Sequence, residues 1–219
     1  SVLVNLPRSA QIPEEAKRQF YASGRRHVSM ILREVGWNSS KRGGTVLDFG
    51  CGVGRLAFAF ASAFGAVTCL DQSLYHLRLA QDEWAQRPAT AKSRTAMEFL
   101  LSSPDLLAAV GGRRFDLVHT FISLQHMVSP LQTAYLAQFC DALKPGGKAW
   151  IHIPTMVDES RDPCNLEASI QAGGMQMHYT PAAAIQQVVE ERGCDVKVQN
   201  RGGFGIGAGL SAAVVFFDK

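Results

Sequence analysis

Three glycines and two aspartates, placed around two short apolar segments, form the part of this sequence best suited to chemistry. Residues 45–55 read Thr-Val-Leu-Asp-Phe-Gly-Cys-Gly-Val-Gly-Arg, with glycine at alternate positions. Because glycine has no Cβ, the backbone there can turn sharply and approach a ligand closely. The apolar residues that follow predict a helix whose free N–H groups and positive dipole end face the same place. The segment therefore predicts a cradle for a nucleotide-like molecule, with Asp48 at its edge.

The second acid, Asp71, closes the apolar segment Ala66–Leu70 and follows Gly50 by 21 residues (71 − 50). In a βαβ nucleotide site, an acid at this distance lies at the end of the second strand and meets the ribose. A carboxylate suits that role because it accepts hydrogen bonds from two vicinal hydroxyls. The alternative is that Asp71 caps the helix predicted over Ser73–Gln86. The spacing and the strand context favour ribose binding.

Apolar strand segments alternate with amphipathic helical segments along most of the chain. This alternation predicts an α/β fold, a Rossmann-like doubly wound sheet with helices on both faces. The last two strands follow each other without a helix, which predicts an antiparallel C-terminal hairpin on a mostly parallel sheet. The seven predicted strands cover residues 45–49, 66–70, 95–99, 115–121, 148–153, 195–199 and 212–217.

The length of 219 residues fits one domain. We expect an N-terminal helical cap over residues 1–43 and a core over 44–219, with 154–180 inserted as a lid because it shows no clean periodicity. In the cap, Gly24 interrupts the helical pattern. It marks either a joint between two helices or a flap over the cofactor, in which Tyr21 and Arg25 contact the ligand and Arg25 meets a carboxylate.

Composition narrows the possible partners. The net charge is only +3 and the basic pairs are scattered, which argues against a nucleic-acid groove. No apolar run is long enough to cross a membrane, and no signal pattern stands at the N-terminus. The five cysteines are odd in number and include no Cys-x-x-Cys pair, so we expect reduced thiols, a cytoplasmic location and no metal site. The sequence leaves the oligomeric state open.

Three motifs in order resemble those of class I S-adenosylmethionine-dependent methyltransferases. They are Asp48-x-Gly50-x-Gly52-x-Gly54, the second-strand Asp71, and Leu-Lys-Pro-Gly-Gly over 143–147 before the fifth strand. The first motif lacks the Gly-x-Gly-x-x-Gly spacing of dinucleotide enzymes, which favours S-adenosylmethionine over NAD. The resemblance covers nearly the whole chain from Thr45 onward.

The resemblance implies S-adenosylmethionine as cofactor and S-adenosylhomocysteine as product. Asp48 and the glycine turn would contact the methionine end, Asp71 the ribose, and residues beside the second and third strands the adenine. The residues at the end of the fourth strand would lie beneath the sulfonium. With Tyr21 and Arg25 of the flap, the predicted cofactor contacts are Tyr21, Arg25, Asp48, Gly50, Cys51, Gly52, Gly54, Asp71, Gln72, Met97, Glu98, Phe121 and Ile122.

The segment after the fourth strand, Thr-Phe-Ile-Ser-Leu-Gln-His over 120–126, points to the acceptor. It lacks the Asn/Asp-Pro-Pro-Tyr/Phe sequence of enzymes that methylate amines of DNA or glutamine, and it resembles small-molecule and sugar methyltransferases. We therefore expect a small-molecule or glycan hydroxyl as acceptor. Its proton would need a base, for which histidine is the natural candidate near neutral pH. His126, His152 and His178 are the candidates, and a structural role stays open for each.

Two other functions stay open at this point. One is an NAD-dependent oxidoreductase, and the other is a nucleotide-binding module that keeps the fold without catalysis. Binding of S-adenosylhomocysteine against NAD separates the first of these from a methyltransferase.

Overall fold

The strands of the protein form one seven-stranded sheet in the order β3-β2-β1-β4-β5-β7-β6. The computed structural model describes residues 13–37, 43–92, 94–155, 178–201 and 211–219. The strands are β1 (Thr45–Phe49), β2 (Ala66–Asp71), β3 (Ala96–Leu101), β4 (Phe115–Thr120), β5 (Leu143–Thr155), β6 (Asp195–Arg201) and β7 (Ser211–Asp218). The helices are α1 (Glu14–Glu34), α2 (Ala57–Phe60), α3 (Leu74–Ala85), α4 (Ala89–Lys92), α5 (Leu106–Ala109), α6 (Ser129–Asp141) and α7 (Ala182–Glu190).

Strands β1 to β5 pair in parallel, and β7 is antiparallel to both of its neighbours, β5 and β6. The predicted doubly wound sheet with a C-terminal hairpin is therefore confirmed. Since β1 lies at the centre, the carboxyl ends of β1, β2 and β4 meet at one edge of the sheet. Ligands of open α/β sheets bind at this edge, where the strand order reverses.

Apolar cores fill both faces of the sheet. On one face, buried residues of α1, α2 and α3 pack against the strands, including Ile31, Phe60 and Leu77. On the other, buried residues of α5, α6 and α7 do the same, including Leu106, Phe139 and Ile185. Both layers hold the central strands rigidly, as a parallel sheet requires.

Helix α1 runs without a break through Gly24, so the predicted joint at this residue is wrong. Gly24 is buried, and a Cβ built on it would lie 2.1 Å from the carbonyl oxygen of Arg55. The glycine is therefore required by close packing of the helix on the segment after the glycine turn. The alternative, a flap over the cofactor, stays a prediction.

Several element boundaries differ from the predicted ones. Strand β3 extends two residues further, to Leu101. Strand β5 begins at Leu143 because that residue pairs with Phe115 of β4, ahead of an irregularity at residues 144–147. The short helix α4 was not predicted. The lid predicted over residues 154–180 lies mostly outside the described ranges. Residues 1–12 of the predicted cap and residues 202–210 between β6 and β7 lie outside them as well. In the described part of the chain, no helix has both the length and the apolar character to cross a membrane.

Candidate cofactor and acceptor site

The glycine turn leaves β1 at the carboxyl edge of the sheet. Gly50, Gly52 and Gly54 have φ angles of 75°, 54° and 84°, which residues other than glycine adopt only with strain. The N–H groups of Gly50 and Cys51 both donate to the carbonyl of Leu70, at 2.7 and 3.1 Å, and tie the turn to β2. A Cβ on Gly52 would meet nothing within 4 Å. The turn is thus fixed in place and open towards solvent at Gly52.

Asp71 joins the end of β2 to this turn. Its Oδ2 accepts from the Gly52 N–H and its Oδ1 from the Ser73 N–H, each at 2.8 Å, and the residue is only 8% exposed. The capping of α3 falls to Ser73, whose hydroxyl accepts from the His76 N–H. The alternative role of Asp71 as the helix cap is therefore wrong. A carboxylate accepts about four hydrogen bonds, so Asp71 keeps sites for two further donors.

Asp48 forms a buried pair with His119 of β4. The imidazole Nδ1 lies 2.8 Å from Asp48 Oδ1, and the two residues are 0% and 2% exposed, respectively. Among the described residues, Asp48 Oδ2 and His119 Nε2 have no hydrogen-bond partner. The His119 ring stacks on Trp150, whose indole N–H donates to Glu34 of α1 at 2.8 Å. Oδ2 is therefore the Asp48 atom left for a ligand donor.

The Phe121 ring lies against two histidines, His27 and His152. The Phe121 ring centre lies 4.2 Å from that of His27 and 4.9 Å from that of His152. Burial, helped by the neighbouring His119, lowers the pKa of His27 to about 3 and of His152 to about 4. Both are therefore neutral near pH 7. His152, predicted as a base, is fully buried.

We expect stability to fall on mild acidification because of these two histidines. Unfolded histidine titrates near 6.5, so between about pH 6.5 and their folded pKa values the unfolded chain binds more protons. The sign is therefore a loss of stability as pH falls, by roughly 2–3 kcal/mol between pH 7.5 and 5.5 for the two groups together. Urea unfolding at both pH values measures it.

A double variant, His27→Gln with His152→Gln, is the informative comparison, with the exposed His76→Gln as control. The double variant should lose less stability on acidification than the wild type, whereas H76Q should lose as much. Equal losses in all three would contradict the assignment to His27 and His152.

His126 and His178, the other predicted bases, lie together beside Gln125. His126 ends a 3₁₀ helix over Leu124–His126 and is exposed, with Nε2 3.3 Å from the side-chain nitrogen of Gln125. The backbone N–H of His178 donates to the Gln125 carbonyl at 2.8 Å. The buried Gln132 donates to the His178 carbonyl at 3.0 Å. His126 therefore faces solvent, whereas His152 is buried.

Phe121 and Ile122 leave β4 at the same edge. Ile122 has a φ of 59° and is 40% exposed, an unusual combination for a β-branched residue. The next residue, Ser123, sits directly against Gly50, where a Cβ would lie 1.9 Å from its hydroxyl oxygen. Ser123 belongs to the end of the fourth strand that the resemblance places beneath the sulfonium, together with Phe121 and Ile122. The backbone strain and the exposed apolar side chain mark Ile122 as a surface for a ligand.

The structure places Tyr21 against the glycine turn and Arg25 away from it. The Tyr21 hydroxyl donates to the carbonyl of Val53 at 3.3 Å, and burial raises the pKa of Tyr21 well above its usual value. Arg25 is exposed and lines a groove of about 430 Å³ that also includes Tyr21 and Glu83. Arg55 of the turn, unassigned from the sequence, is instead the arginine close to Phe121.

Of the residues expected near the adenine, Gln72 lies where it was expected, whereas Met97 and Glu98 do not. Gln72 is exposed in the connection between β2 and α3, where it was expected. Met97 and Glu98 lie inside β3, before its carboxyl end, and Glu98 pairs with Arg113 at 2.5 Å. They are displaced from the expected position because β3 is longer than predicted, so Ser102 and Ser103 are the residues that follow it at the sheet edge.

Cys51 is buried inside the turn, and a hydrogen bond with Cys69 together with burial raises the pKa of its thiol. A thiol in this state is a poor nucleophile. Searched over the described residues, the chain shows no group of histidine, cysteine and acidic side chains arranged to hold a metal.

A family model described as a methyltransferase domain matches residues 21–199, most of the chain. The chain belongs to the methyltransferase domain family. The resemblance carried by the glycine turn, Asp71 and residues 143–147 is therefore confirmed. The family assignment also favours a methyltransferase over the NAD-dependent oxidoreductase.

Curated relatives agree with this methyltransferase assignment. A ubiquinone biosynthesis O-methyltransferase of Leptothrix cholodnii is 28% identical over 171 residues, which are 78% of this chain and 66% of that protein. An S-adenosyl-L-methionine-dependent Diels–Alderase of Talaromyces variabilis is 32% identical over 134 residues, 61% of this chain and 42% of that protein. The chain spans less than two thirds of the length of these relatives.

Solved structures share the methyltransferase fold. Magnesium protoporphyrin IX methyltransferase from Synechocystis, with bound S-adenosylhomocysteine, aligns with a TM-score of 0.65 at 16% identity over 96% of this chain and 90% of that chain. The cyclopropane synthase MmaA2 of Mycobacterium tuberculosis aligns with a TM-score of 0.69 at 12% identity over 88% and 84%. At these identities the likeness concerns the fold.

Proposed function

We propose that this domain transfers the methyl group of S-adenosylmethionine to a hydroxyl of a small molecule. The observation that carries the proposal is Asp71, which fixes the open glycine turn through Gly52 and keeps lone pairs for two donors at the carboxyl edge of the sheet. Family membership and the names of the O-methyltransferase relatives support it.

The residues at this edge fit the proposed cofactor. Asp48 Oδ2, buried and without a partner among the described residues, suits the ammonium group of the methionine end. Asp71 suits the ribose hydroxyls, and the missing Cβ of Gly52 leaves room for the ligand. Gln72, at the adjoining connection, suits the adenine. Once bound, the sulfonium supplies a methyl group that is already electrophilic.

The remaining work of the protein is positioning and proton transfer. Phe121 and Ile122 line the place beside the turn where an acceptor would lie, and alignment of an acceptor there can contribute about 7–11 kcal/mol. His126, exposed at the same edge, is the base we propose for the hydroxyl proton. His152 is a weaker candidate because its pKa of about 4 makes it a poor proton acceptor near pH 7.

The glycan acceptor expected from the sequence stays a prediction. The relatives named for ubiquinone biosynthesis favour a non-sugar small molecule for this chain. A second candidate function is a reaction that uses the bound cofactor without methyl transfer, since one relative is named as an S-adenosyl-L-methionine-dependent Diels–Alderase.

Calorimetry with S-adenosylhomocysteine and NAD tests the cofactor, and labelled S-adenosylmethionine with small-molecule extracts tests the transfer. We expect binding of S-adenosylhomocysteine, no binding of NAD, and a labelled acceptor. Cofactor binding without any labelled product would favour the second candidate. Binding of NAD alone would overturn the proposal.

Gly52→Ala provides a sharper test of where the cofactor lies. The new Cβ would project into the open space beside the turn, so we expect the Kd for S-adenosylhomocysteine to rise by roughly tenfold or more. Gly112→Ala is the matched control, since Gly112 has a similar φ of 71° and equally open surroundings but lies in the turn after α5. Each variant should lose about 1 kcal/mol of stability from the backbone strain alone.

Calorimetry and thermal melts on both variants separate the two effects. An unchanged Kd in G52A, with G112A as reference, would place the cofactor elsewhere.

A further inference from the structure

Arg55 is a half-buried cation whose hydrogen bonds are largely unused. Its guanidinium carbon lies 5.9 Å from the ring centre of Phe20 and 5.6 Å from that of Phe121, so the group sits beside two aromatic faces. The one side-chain hydrogen bond it makes within the described ranges is a long one, 3.4 Å from Nη1 to the Ser23 hydroxyl. A guanidinium carries five N–H donors, which leaves most of them available to a ligand.

A second arginine with the same aromatic surroundings shows what Arg55 lacks. Arg87 lies 4.7 Å and 4.9 Å from the ring centres of Tyr21 and Phe58, and it also pairs with Glu83 at 3.2 Å. Arg55 has no such carboxylate partner among the described residues. Since a partly buried charge is costly unless it is paired, the contrast points to an anion supplied from outside the described part of the protein.

The neighbouring groups compensate this positive charge only in part. His27 and His152 are neutral near pH 7, because burial holds their pKa values at about 3 and about 4. Asp48 engages one oxygen with His119, so its charge is already shared with that imidazole. Burial lowers the pKa of Arg55 and the nearby Asp48 raises it, but an arginine stays charged at any physiological pH.

The position of Arg55 favours the acceptor over the cofactor as the source of this anion. Its aromatic neighbour Phe121 is the first residue after β4, and the next residue, Ile122, exposes an apolar side chain. Phe20 and Ser23 belong to α1, which covers this side of the turn. An anion bound here would therefore lie beside aromatic and apolar surfaces. Arginine suits such a place because it binds carboxylates through two parallel hydrogen bonds and stacks on rings.

We infer that the methyl acceptor is an aromatic or apolar compound that carries an anionic group, a carboxylate in the simplest case, and that Arg55 binds this group. The inference rests on the proposed function, since it assigns a recognition residue to the acceptor side of that site. Arg55 acts here in binding and takes no part in the transfer itself.

Benzoate and benzamide provide the test, because they share one shape and differ in charge. Calorimetry is run on the protein saturated with S-adenosylhomocysteine, and on the protein alone if that ligand does not bind. We expect benzoate to bind more tightly than benzamide, and Arg55→Gln to raise the Kd for benzoate about tenfold or more while changing that for benzamide less than about twofold. Arg55→Lys keeps the charge but cannot form two parallel hydrogen bonds, so its Kd for benzoate should lie between those of the wild type and R55Q.

Arg87→Gln is the matched control, because it removes a stacked guanidinium that already has a carboxylate partner. It should leave benzoate binding unchanged, and thermal melts should show that all variants fold. Absence of benzoate binding, or equal benzoate binding in the wild type and R55Q, overturns the inference. The inference is also overturned if R55Q raises the Kd for S-adenosylhomocysteine by the same factor as the Kd for benzoate. Arg55 would then bind the carboxylate of the cofactor. Failure of the wild type to bind S-adenosylhomocysteine counts against the proposed function alone.

Discussion

Replacing His119 by leucine is expected to destabilise the protein by about 3–5 kcal/mol, because it leaves the carboxylate of Asp48 buried without its partner. Asp48 is 2% exposed and its Oδ1 lies 2.8 Å from His119 Nδ1. An ionised carboxylate in such surroundings must either keep its charge at a high desolvation cost or take up a proton. Urea unfolding at pH 7.5 measures the loss.

His119→Asn is the matched variant, since its amide N–H can reach the place of the imidazole Nδ1 while it also loses ring volume. It should therefore recover part of the stability that H119L loses. Adding Asp48→Asn to H119L should recover stability as well, because a neutral amide costs less to bury than a charge. Strictly additive effects of D48N and H119L would show that the two residues are not coupled.

Replacing Asp71 by alanine is expected to raise the Kd for S-adenosylhomocysteine by at least about 100-fold, since two hydrogen bonds to a charged acceptor are worth about 1.5–3 kcal/mol each and are lost together. The variant also removes the acceptor of the Gly52 and Ser73 N–H groups, which hold the turn and the start of α3. Part of the loss therefore comes from a looser turn. Calorimetry gives the Kd, and thermal melts give the accompanying loss of stability.

Ser73→Ala separates the two contributions of Asp71. Ser73 caps α3 through the His76 N–H, so its loss costs about 0.5–2 kcal/mol of stability without removing a ribose partner. S73A should bind S-adenosylhomocysteine as the wild type does. If D71A is destabilised but still binds normally, Asp71 serves only to hold the turn.

The fold was predictable because its central strands are buried on both faces. Such strands are continuous apolar segments, and β1 and β2 were found almost residue for residue. The boundaries that failed belong to places where main-chain pairing decides the structure. Strand β3 lies at the edge of the sheet and ends in the exposed Leu101, so hydrophobicity does not mark its end. Lys144–Gly147 lies within β5 despite its proline and glycines, because Leu143 before it and Lys148 after it both pair with β4.

The candidate site was predictable only where its chemistry is local. The glycine turn is contiguous, and Asp71 follows it at a spacing that a βαβ unit fixes. The pairing of His119 with Asp48 was not predicted, because the two residues lie 71 positions apart in the chain. A signal did exist, since both residues lie near the carboxyl ends of strands that the predicted topology makes neighbours, and they are register partners.

Arg25 of α1 and Arg55 of the glycine turn are a second case in which the local sequence does not reveal a contact. Both arginines follow a glycine, and only packing distinguishes them. Gly24 faces the turn so closely that Arg25, one position further along α1, must point elsewhere. No periodicity in the sequence reveals which face of α1 meets a segment 31 positions away (55 − 24).

The order of the last three strands has a consequence for how the chain is made. Strand β6 leaves the ribosome before β7, yet β7 lies between β5 and β6 and is the strand that β6 pairs with. Until β7 has been synthesised, β5 presents an open apolar edge and β6 has no neighbour in the sheet. Nascent chains therefore pass through a stage with unpaired strand edges, which is the stage most exposed to aggregation and chaperone binding.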